Sequence, residues 1–332
     1  MITSEALADW LGNGTARSAT AAAMERLAGR FAAMPAFAAL DRALEPASSA
    51  GAEAVLALAR TFIEDDSTIG LIVSEAVAAA ASDPLCRPPL RASSNEVQDG
   101  LVLFSRPTLV IQLAVISAEA LAIKRRFREG PASIVFTGQR SLFRFLKGGG
   151  ALLSLWEAPL IDSGFSAEDC GPCRLFERRR LADGDWLEVD GRSESFVVDR
   201  AASDLVYVFA STSLEASPVA AEYDGRSLEL VAASSTDDSS SRIQMMLALL
   251  RTLDRRDAAP LFEERLKAPH FHARWQAMRE LLALDPGVAV PHLREMAALD
   301  PHPEIRAAAC ATLAQFFPEP SEGKEASEPC LA

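Results

Sequence analysis

Two cysteines with redox-like spacing are the first candidates for chemistry in this sequence. Cys170 and Cys173 flank a Gly-Pro pair, and thiols at this spacing can form a reversible disulfide. Glu168 and Asp169 oppose the reactive thiolate, whereas four arginines beyond the motif favour it: Arg174, Arg178, Arg179 and Arg180. Because no apolar strand precedes the motif, the sequence predicts a tight turn, with a redox pair as the alternative. The residues after the motif allow a short helix.

A basic cluster stands out in this acidic chain. The segment "KRRFR" (124–128) and the strand-like run that follows contribute six cations: Lys124, Arg125, Arg126, Arg128, Arg140 and Arg144. Clustered cations can form an anion pocket or a docking face for an acidic partner segment. The same run also fits the solvated face of a strand, and the sequence leaves these alternatives open.

Metal-binding chemistry has few candidate ligands in the middle of the chain. All four histidines lie in the C-terminal third: His270, His272, His292 and His302. His270 and His302 are expected to hold equivalent turn positions, because a metal needs three or four converging ligands. The carboxylates that an enzyme could use in the middle region are Glu157, Glu177, Glu188 and Glu222. The sequence therefore predicts no metal and no cofactor.

Length, charge and cysteine usage restrict the function classes. The 332 residues suffice for two or three domains, and the net charge of −13 argues against nucleic-acid binding, which needs clustered cations. The apolar runs are too short to span a membrane, and the N-terminus does not resemble a secretory signal. Five cysteines, an odd number, indicate free thiols and a cytoplasmic location.

Residues 1–92 are predicted to form a helical N-terminal domain. In "AEAVLALARTFIED" (52–65) the apolar residues fall at helical intervals and form one stripe: Val55, Leu56, Ala59, Phe62 and Ile63. A second helix should follow, with Asp66 or Ser67 as its N-cap and Pro84 just past its end. The polar, proline-rich segment 84–100 is predicted to be a linker.

Residues 98–233 change to short β-branched and aromatic runs, which predict about ten strands in an antiparallel sandwich or barrel. Asp-Gly pairs at 183–184, 190–191 and 224–225 predict hairpin turns. The segment "RRLADGDWLEVDGR" (179–192) resembles the middle of a cupin jelly roll. Metal-dependent cupins bind their metal through histidines, which this region lacks, so the resemblance implies the shape of a jelly roll and not the usual activity.

Residues 242–317, after a polar linker at 233–241, are predicted to form helical repeats. The segments 270–286 and 302–318 align at a period of 32, which matches Arg274 with Arg306 and Leu281 with Leu313. Pro260 and Pro291 should open the preceding helices. "DPHPEIRAAACATL" (300–313) resembles the second helix of a HEAT repeat, which implies an α-solenoid that contacts proteins. Residues 318–332 are predicted to be a disordered acidic tail.

Two classes of function remain open at this point. The first is a non-catalytic binding, scaffold or accessory protein, in which a metal-free cupin-like domain and a HEAT-like surface bind a partner protein. The alternative is a cupin-superfamily enzyme, a metal-dependent oxygenase or isomerase, or a thiol-redox protein that uses the paired cysteines. The fold class predicted for either is α+β multidomain, and the oligomeric state stays open.

Overall fold

The computed structural model describes residues 4–128, 130–162, 164–166 and 170–318. It divides into two compact units. The first contains Met1–Ile161 and Cys170–Thr236, and the second contains Asp162–Asp169 and Asp237–Ala332. Most of the tail predicted at 318–332 lies outside the described residues.

Five helices open the first unit: α1 (Ser4–Gly12), α2 (Gly14–Ala32), α3 (Pro35–Ala50), α4 (Ala52–Glu64) and α5 (Asp66–Ser82). All five residues of the predicted stripe on α4 are buried, which confirms the interpretation of their spacing. The N-cap of α5 is Asp65, not Asp66 or Ser67. Its carboxylate accepts hydrogen bonds from the backbone N–H groups of Ser67 and Thr68, which have no partner within the helix.

Twelve strands and one further helix follow among the described residues of this unit. Six strands form the large sheet: β1 (Arg91–Ser94), β2 (Gln98–Arg106), β3 (Leu109–Ile116), β5 (Arg140–Lys147), β8 (Trp186–Asp190) and β10 (Leu205–Thr212). The others are β4 (Ile134–Phe136), β6 (Leu152–Glu157), β7 (Arg174–Arg180), β9 (Glu194–Arg200), β11 (Val219–Tyr223) and β12 (Leu230–Ser235). Helix α6 (Ala118–Phe127) lies between β3 and β4.

The strand pairing is that of a jelly roll. One sheet has the order β1-β2-β3-β10-β5-β8, and the two smaller sheets have the orders β12-β11-β4 and β7-β6-β9. The eight strands from β3 to β10 pair in nested order, β3 with β10, β5 with β8, and β6 with β7, all antiparallel. β4 lies beside β9, where Ser195 Oγ donates to the carbonyl oxygen of Val135 at 2.6 Å. A ribbon of strands wound in this order gives the two packed sheets of a jelly roll.

The six-stranded sheet is buried on both faces. One face contributes residues such as Phe145 and Tyr207 to the core between the sheets. The other face contributes Leu142, Val208 and neighbouring residues to a core shared with α2 to α5. The change near residue 92 is therefore a change of secondary structure within one compact unit.

Several predicted loops are regular structure instead. The predicted linker 84–100 contains the buried Cys86, all of β1 and the start of β2. In the predicted linker 233–241, β12 ends and Asp237 caps the next helix by accepting from the backbone of Ser239 and Ser240. Polar residues predicted a linker here because strand edges and helix caps use the same residue types as loops.

The structure also differs from two alternatives that the sequence left open and from two of the predicted turns. Residues 174–180 form the exposed strand β7, not a short helix, and the run 124–127 lies in helix α6, not in a strand. Of the Asp-Gly pairs, only 224–225 closes a hairpin, between β11 and β12. The pairs at 183–184 and 190–191 connect strands of different sheets, because β8 lies in the large sheet and β7 and β9 do not.

The second unit is helical: α7 (Asp238–Thr252), a short 3-10 turn (Arg256–Ala258), α8 (Ala259–Arg265), α9 (Phe271–Leu284), α10 (Pro286–Leu299) and α11 (Pro303–Phe316). α9 and α11 occupy the two aligned segments, as the 32-residue period predicts. Pro260 opens α8 as expected, but Pro286 opens α10, and Pro291 lies inside it.

The repeat equivalences hold at the turns. Arg274 Nη1 donates to the carbonyl oxygens of Ala268 and Pro269, both at 3.0 Å. Arg306 Nη1 donates to the carbonyls of Asp300 and Pro301, the equivalent positions one period later, at 2.7 and 3.2 Å. Each arginine therefore holds the turn that precedes its own helix.

No helix in the described part of the chain is both long enough and apolar enough to cross a membrane.

Candidate functional site

A groove of about 810 Å³ lies on the second unit between α8 and α10. These helices are the first members of two successive helix pairs, so the groove follows from the repeat. Its apolar lining comes from Leu266, Met296 and Leu299, and Leu299 is 73% exposed. A large apolar side chain open to solvent is a feature of interaction surfaces when charged residues surround it.

The rim of this groove is acidic. Glu263, Glu264 and Glu295 line it, while Lys267 is the lining cation that has no ion pair among the described residues. His292 lies between two of the glutamates, with Nε2 3.8 Å from Glu263 Oε2 and Nδ1 4.0 Å from Glu295 Oε2. The groove therefore presents an apolar strip inside a negative border.

A buried ion pair forms the base of the groove. Asp300 accepts from Arg274 and from the backbone N–H of His302. Burial by itself would raise the pKa of Asp300, but these hydrogen bonds outweigh it and hold the pKa below its usual value. Arg274 and Asp300 are therefore both charged at neutral pH, and their charges neutralise each other.

The predicted basic cluster does not form one patch. Lys124, Arg125 and Arg128 line a cavity of about 670 Å³ in the first unit, and Arg126 does not line it. Arg144 donates to Asp66 Oδ1 at 2.6 Å and to the carbonyl of Ile63 at 2.9 Å, so it fastens α4 and α5 to β5. Arg140 pairs across the sheet with Asp190. The cluster thus separates into three lining residues and three that serve elsewhere.

The paired cysteines lie in an irregular segment before β7, not at a helix N-terminus. The backbone N–H of Cys173 donates to the carbonyl of Leu228 at 2.9 Å, which holds the segment against the β11–β12 hairpin. Cys173 is 2% exposed, and burial raises its pKa to about 11. Cys170 Sγ lies 2.8 Å from the hydroxyl of the buried Tyr223. Glu168 and Asp169 lie outside the described residues.

The thiol environment does not favour nucleophilic chemistry. A reactive cysteine needs a lowered pKa, and the pKa of Cys173 moves the other way. Burial, and then the hydrogen bond with Cys170, raises the pKa of the Tyr223 phenol, so this hydroxyl is protonated at neutral pH. The motif alone does not predict this shift, because the burial of the Cys173 side chain depends on residues far along the chain.

The four candidate carboxylates occupy separate places. Glu157 forms an ion pair with Arg174, and Glu188 forms one with Arg60. Glu177 lies on the exposed strand β7, and Glu222 lies on β11. The described residues contain no group of three histidine, cysteine or carboxylate side chains placed to hold a metal ion.

The histidines of the repeats pack as aromatic rings. His270 and His302 are the N-cap residues of α9 and α11, as the period predicts, but neither side chain caps its helix. The His302 ring stacks on Phe271 at 4.0 Å between ring centroids, and its Nε2 lies 3.1 Å from the carbonyl oxygen of Phe165. His272 stacks on His270 at 5.6 Å. Burial lowers the pKa of His272, so its ring is neutral at pH 7.

Residues 228–314 match a family model described as HEAT repeats, which confirms the resemblance predicted for 242–317. The match covers about a quarter of the chain and includes only residues 228–236 of the first unit. No curated protein sequence matches this chain.

Several solved structures, one of them named a cupin, match part of the chain at low similarity. An ectoine synthase from P. lautus is 10% identical over 36% of this chain and 67% of its own, with a TM-score of 0.23. An RmlC-like cupin from Shewanella frigidimarina is 8% identical over 37% of this chain and 84% of its own, with a TM-score of 0.22. KdgF from Halomonas sp. is 12% identical over 36% of this chain and 86% of its own, with a TM-score of 0.23. The jelly-roll fold of the first unit therefore rests on its strand pairing.

Proposed function

We propose that this chain is a non-catalytic binding protein whose helical repeats hold a segment of a partner protein in the α8–α10 groove. The observation that carries the proposal is the apolar lining of Leu266, Met296 and Leu299, of which Leu299 is exposed, inside an acidic rim. The HEAT-repeat match supports it, since stacked helical repeats present extended binding surfaces. The cytoplasmic location predicted from the cysteine count is part of the same proposal.

The charge of the groove specifies the partner's chemistry. Three glutamates border the strip, so the complementary segment carries lysine or arginine on both sides of an apolar residue. The apolar contact supplies most of the affinity, because buried anchors dominate binding energy. The rim charges select the partner and accelerate association, and both effects weaken as salt increases.

Site-specific photo-crosslinking tests this proposal. A photoreactive residue is placed at position 299 in the groove and, in a control protein, at position 311 on α11, and both proteins are irradiated in cells. We expect a protein that crosslinks from position 299 and not from position 311. The crosslinked partner is then purified and its affinity for the unmodified chain is measured.

Charge reversal supplies the decisive comparison. Glu295→Lys should weaken binding of that partner at least tenfold, since it replaces attraction at the rim with repulsion. Asp257→Lys makes the same change of charge on an exposed residue that does not line the groove, and it should leave the affinity unchanged. Equal affinities for all three proteins, or no crosslink specific to position 299, would contradict the proposal.

A further inference from the structure

The jelly roll contains a second candidate site, distinct from the groove on the repeats. The cavity of about 670 Å³ opens at the end of the sandwich where β3 stops and β4 begins. Both sheets line it, with Ile116 and Tyr207 from the large sheet and Val135, Phe196 and Val198 from the strands opposite. Its interior walls are therefore mostly apolar.

Helix α6 lies over the mouth of this cavity. Leu121, Lys124 and Arg125 line the cavity from one face of the helix, and Arg128, the residue that follows the helix, lines it too. No residue of α6 is fully buried. The helix is held at its start, where Ser117 caps it and the backbone N–H of Ala118 donates to Asp204 Oδ1 at 2.9 Å.

Two of the cations that line the cavity form no close ion pair with a residue that the structure describes. Lys124 Nζ forms an ion pair with Glu96 at 2.8 Å. The hydrogen bond from Lys124 and then the charges of Lys124 and Arg128 lower the pKa of Glu96. Neither Arg125 nor Arg128 forms a hydrogen bond or a close ion pair with another residue that the structure describes. Basic residues in a last helical turn also favour the helix dipole, but Arg126 would serve that role equally and does not line the cavity.

Three polar side chains that line the cavity already have partners. The Tyr207 hydroxyl donates to Gln98 Oε1 at 2.7 Å, and Asp199 Oδ2 accepts from Ser154 Oγ at 2.6 Å. A ligand that fills the interior gains little from its own polar groups there, so its body should be apolar. The carboxylate of Asp199 also lines the cavity and disfavours a ligand with several negative charges.

We propose that this cavity binds a small organic monoanion, a carboxylate with an apolar body. The body lies between Phe196, Val198 and Ile116, and the carboxylate lies at the mouth, where Arg125 and Arg128 donate hydrogen bonds to it. Guanidinium groups suit a carboxylate because they can offer two parallel N–H donors. This site does not depend on the groove of the second unit, so either proposal can fail without the other.

Displacement of a fluorescent probe tests the site in the full chain. The probe is 1-anilinonaphthalene-8-sulfonate, which combines an aromatic body with one negative charge. Three competitors separate the requirements: octanoate has both the charge and the apolar body, octan-1-ol has only the body, and inorganic phosphate has only the charge. Calorimetric titration with octanoate measures the same binding without the probe.

The variant Arg125→Gln/Arg128→Gln removes both anchors. Its matched control is Arg126→Gln/Arg180→Gln, which removes two exposed charges from the same unit outside the cavity. We expect octanoate to bind the unchanged chain and the control with equal affinity. In the anchor variant, octanoate affinity should fall by about tenfold or more, because a charge-assisted hydrogen bond is lost.

A cavity-filling variant, Val198→Trp, supplies an independent readout that does not alter charge. It should abolish octanoate binding while thermal unfolding stays cooperative. Absence of saturable octanoate binding to the unchanged chain would overturn the proposal, as would equal octanoate affinity in the anchor variant and its control. Competition by phosphate as strong as that by octanoate would also overturn it, in favour of a simple anion site.

Discussion

Arg274 and Asp300 lie in successive repeats and form a buried, two-pronged ion pair. The distance from Nε to Oδ2 is 2.8 Å, and the distance from Nη2 to Oδ1 is 2.7 Å. The same arginine donates to the turn before its own helix, and the same aspartate accepts from the backbone of His302. One pair of side chains thus joins the two turns that the repeat places side by side.

The first prediction concerns this ion pair. Asp300→Asn should lower the free energy of unfolding by about 3–5 kcal/mol, because it leaves the Arg274 charge buried without its partner. Asp257→Asn, which breaks an exposed pair with Arg255, should change the free energy of unfolding little. Denaturant unfolding of the full chain, followed through the helical signal, measures both. Equal effects of the two substitutions would show that the buried pair does not stabilise the repeats.

The same aspartate gives a pH dependence with a definite sign. The pKa of Asp300 is lower in the folded chain than in the unfolded chain. Its contribution to stability is therefore fully present above the unfolded pKa of about 3.9, and it is lost as the pH falls through the lower folded pKa. The stability difference between the unchanged chain and Asp300→Asn should shrink on acidification below about pH 4. A difference that stays constant down to pH 2 would contradict this linkage.

A second prediction separates two leucines that the repeat treats as equivalent. Leu281 is fully buried between helices, whereas Leu313 is only half-buried. Leu281→Ala should cost about 2–5 kcal/mol of unfolding free energy, within the range for large-to-small core changes. Leu313→Ala should cost clearly less. Thermal and denaturant unfolding of both variants measure this. If Leu281→Ala lost less than half of the unfolding free energy that Leu313→Ala loses, the interpretation of the repeat packing would be wrong.

A third prediction concerns the paired cysteines. In a variant with serine at positions 86, 310 and 330, Cys173 should resist alkylation at pH 8 in the folded chain and react after unfolding. Burial raises its pKa to about 11, so the thiolate is scarce. The rate of alkylation against pH, with the modified residue identified by peptide mass, measures this. A midpoint below about pH 7, or a reversible disulfide between Cys170 and Cys173 near the cytosolic redox poise, would instead support a redox pair.

A fourth prediction concerns the boundary near residue 92. Helices α2 to α5 cover Leu109, Ile111, Leu142 and Val208 on the outer face of the large sheet. A fragment of residues 98–236, without these helices, exposes that apolar face and should aggregate or lose cooperative unfolding. The fragment 1–236 keeps the shared core and serves as the control. A cooperative melt of the shorter fragment at an unchanged temperature would show that the helices and the sheet fold independently.

Much of the architecture was predictable from the sequence alone. The β-branched and aromatic runs became strands, the stripe on α4 became core, and the 32-residue period gave the positions of α9 and α11, because period and propensity act over a few neighbouring residues. The run "LVYVFA" (205–210) also carried a signal that was missed. It is apolar at nearly every position, where alternation would indicate one solvated face, and this fits a strand buried on both faces.

The basic cluster shows what local patterns could not decide. With 124–127 assigned to a strand, alternate residues would share a face. In helix α6 the positions of Leu121, Lys124 and Arg125 share one instead. Arg144, which the sequence pattern grouped with the other five cations, forms an ion pair with Asp66 on another element. The burial of Cys173 likewise depends on the distant β11–β12 hairpin.

The sequence by itself determined the order of helical, β-rich and helical regions, the repeat and the absence of histidine from the jelly roll. Only the tertiary structure decided that the N-terminal helices share a core with the large sheet, that three cations line one cavity, and that Arg274 meets Asp300. The first set depends on interactions between neighbours along the chain. The second set depends on long-range packing, which brings together residues whose separation in the sequence carries no record of their contact.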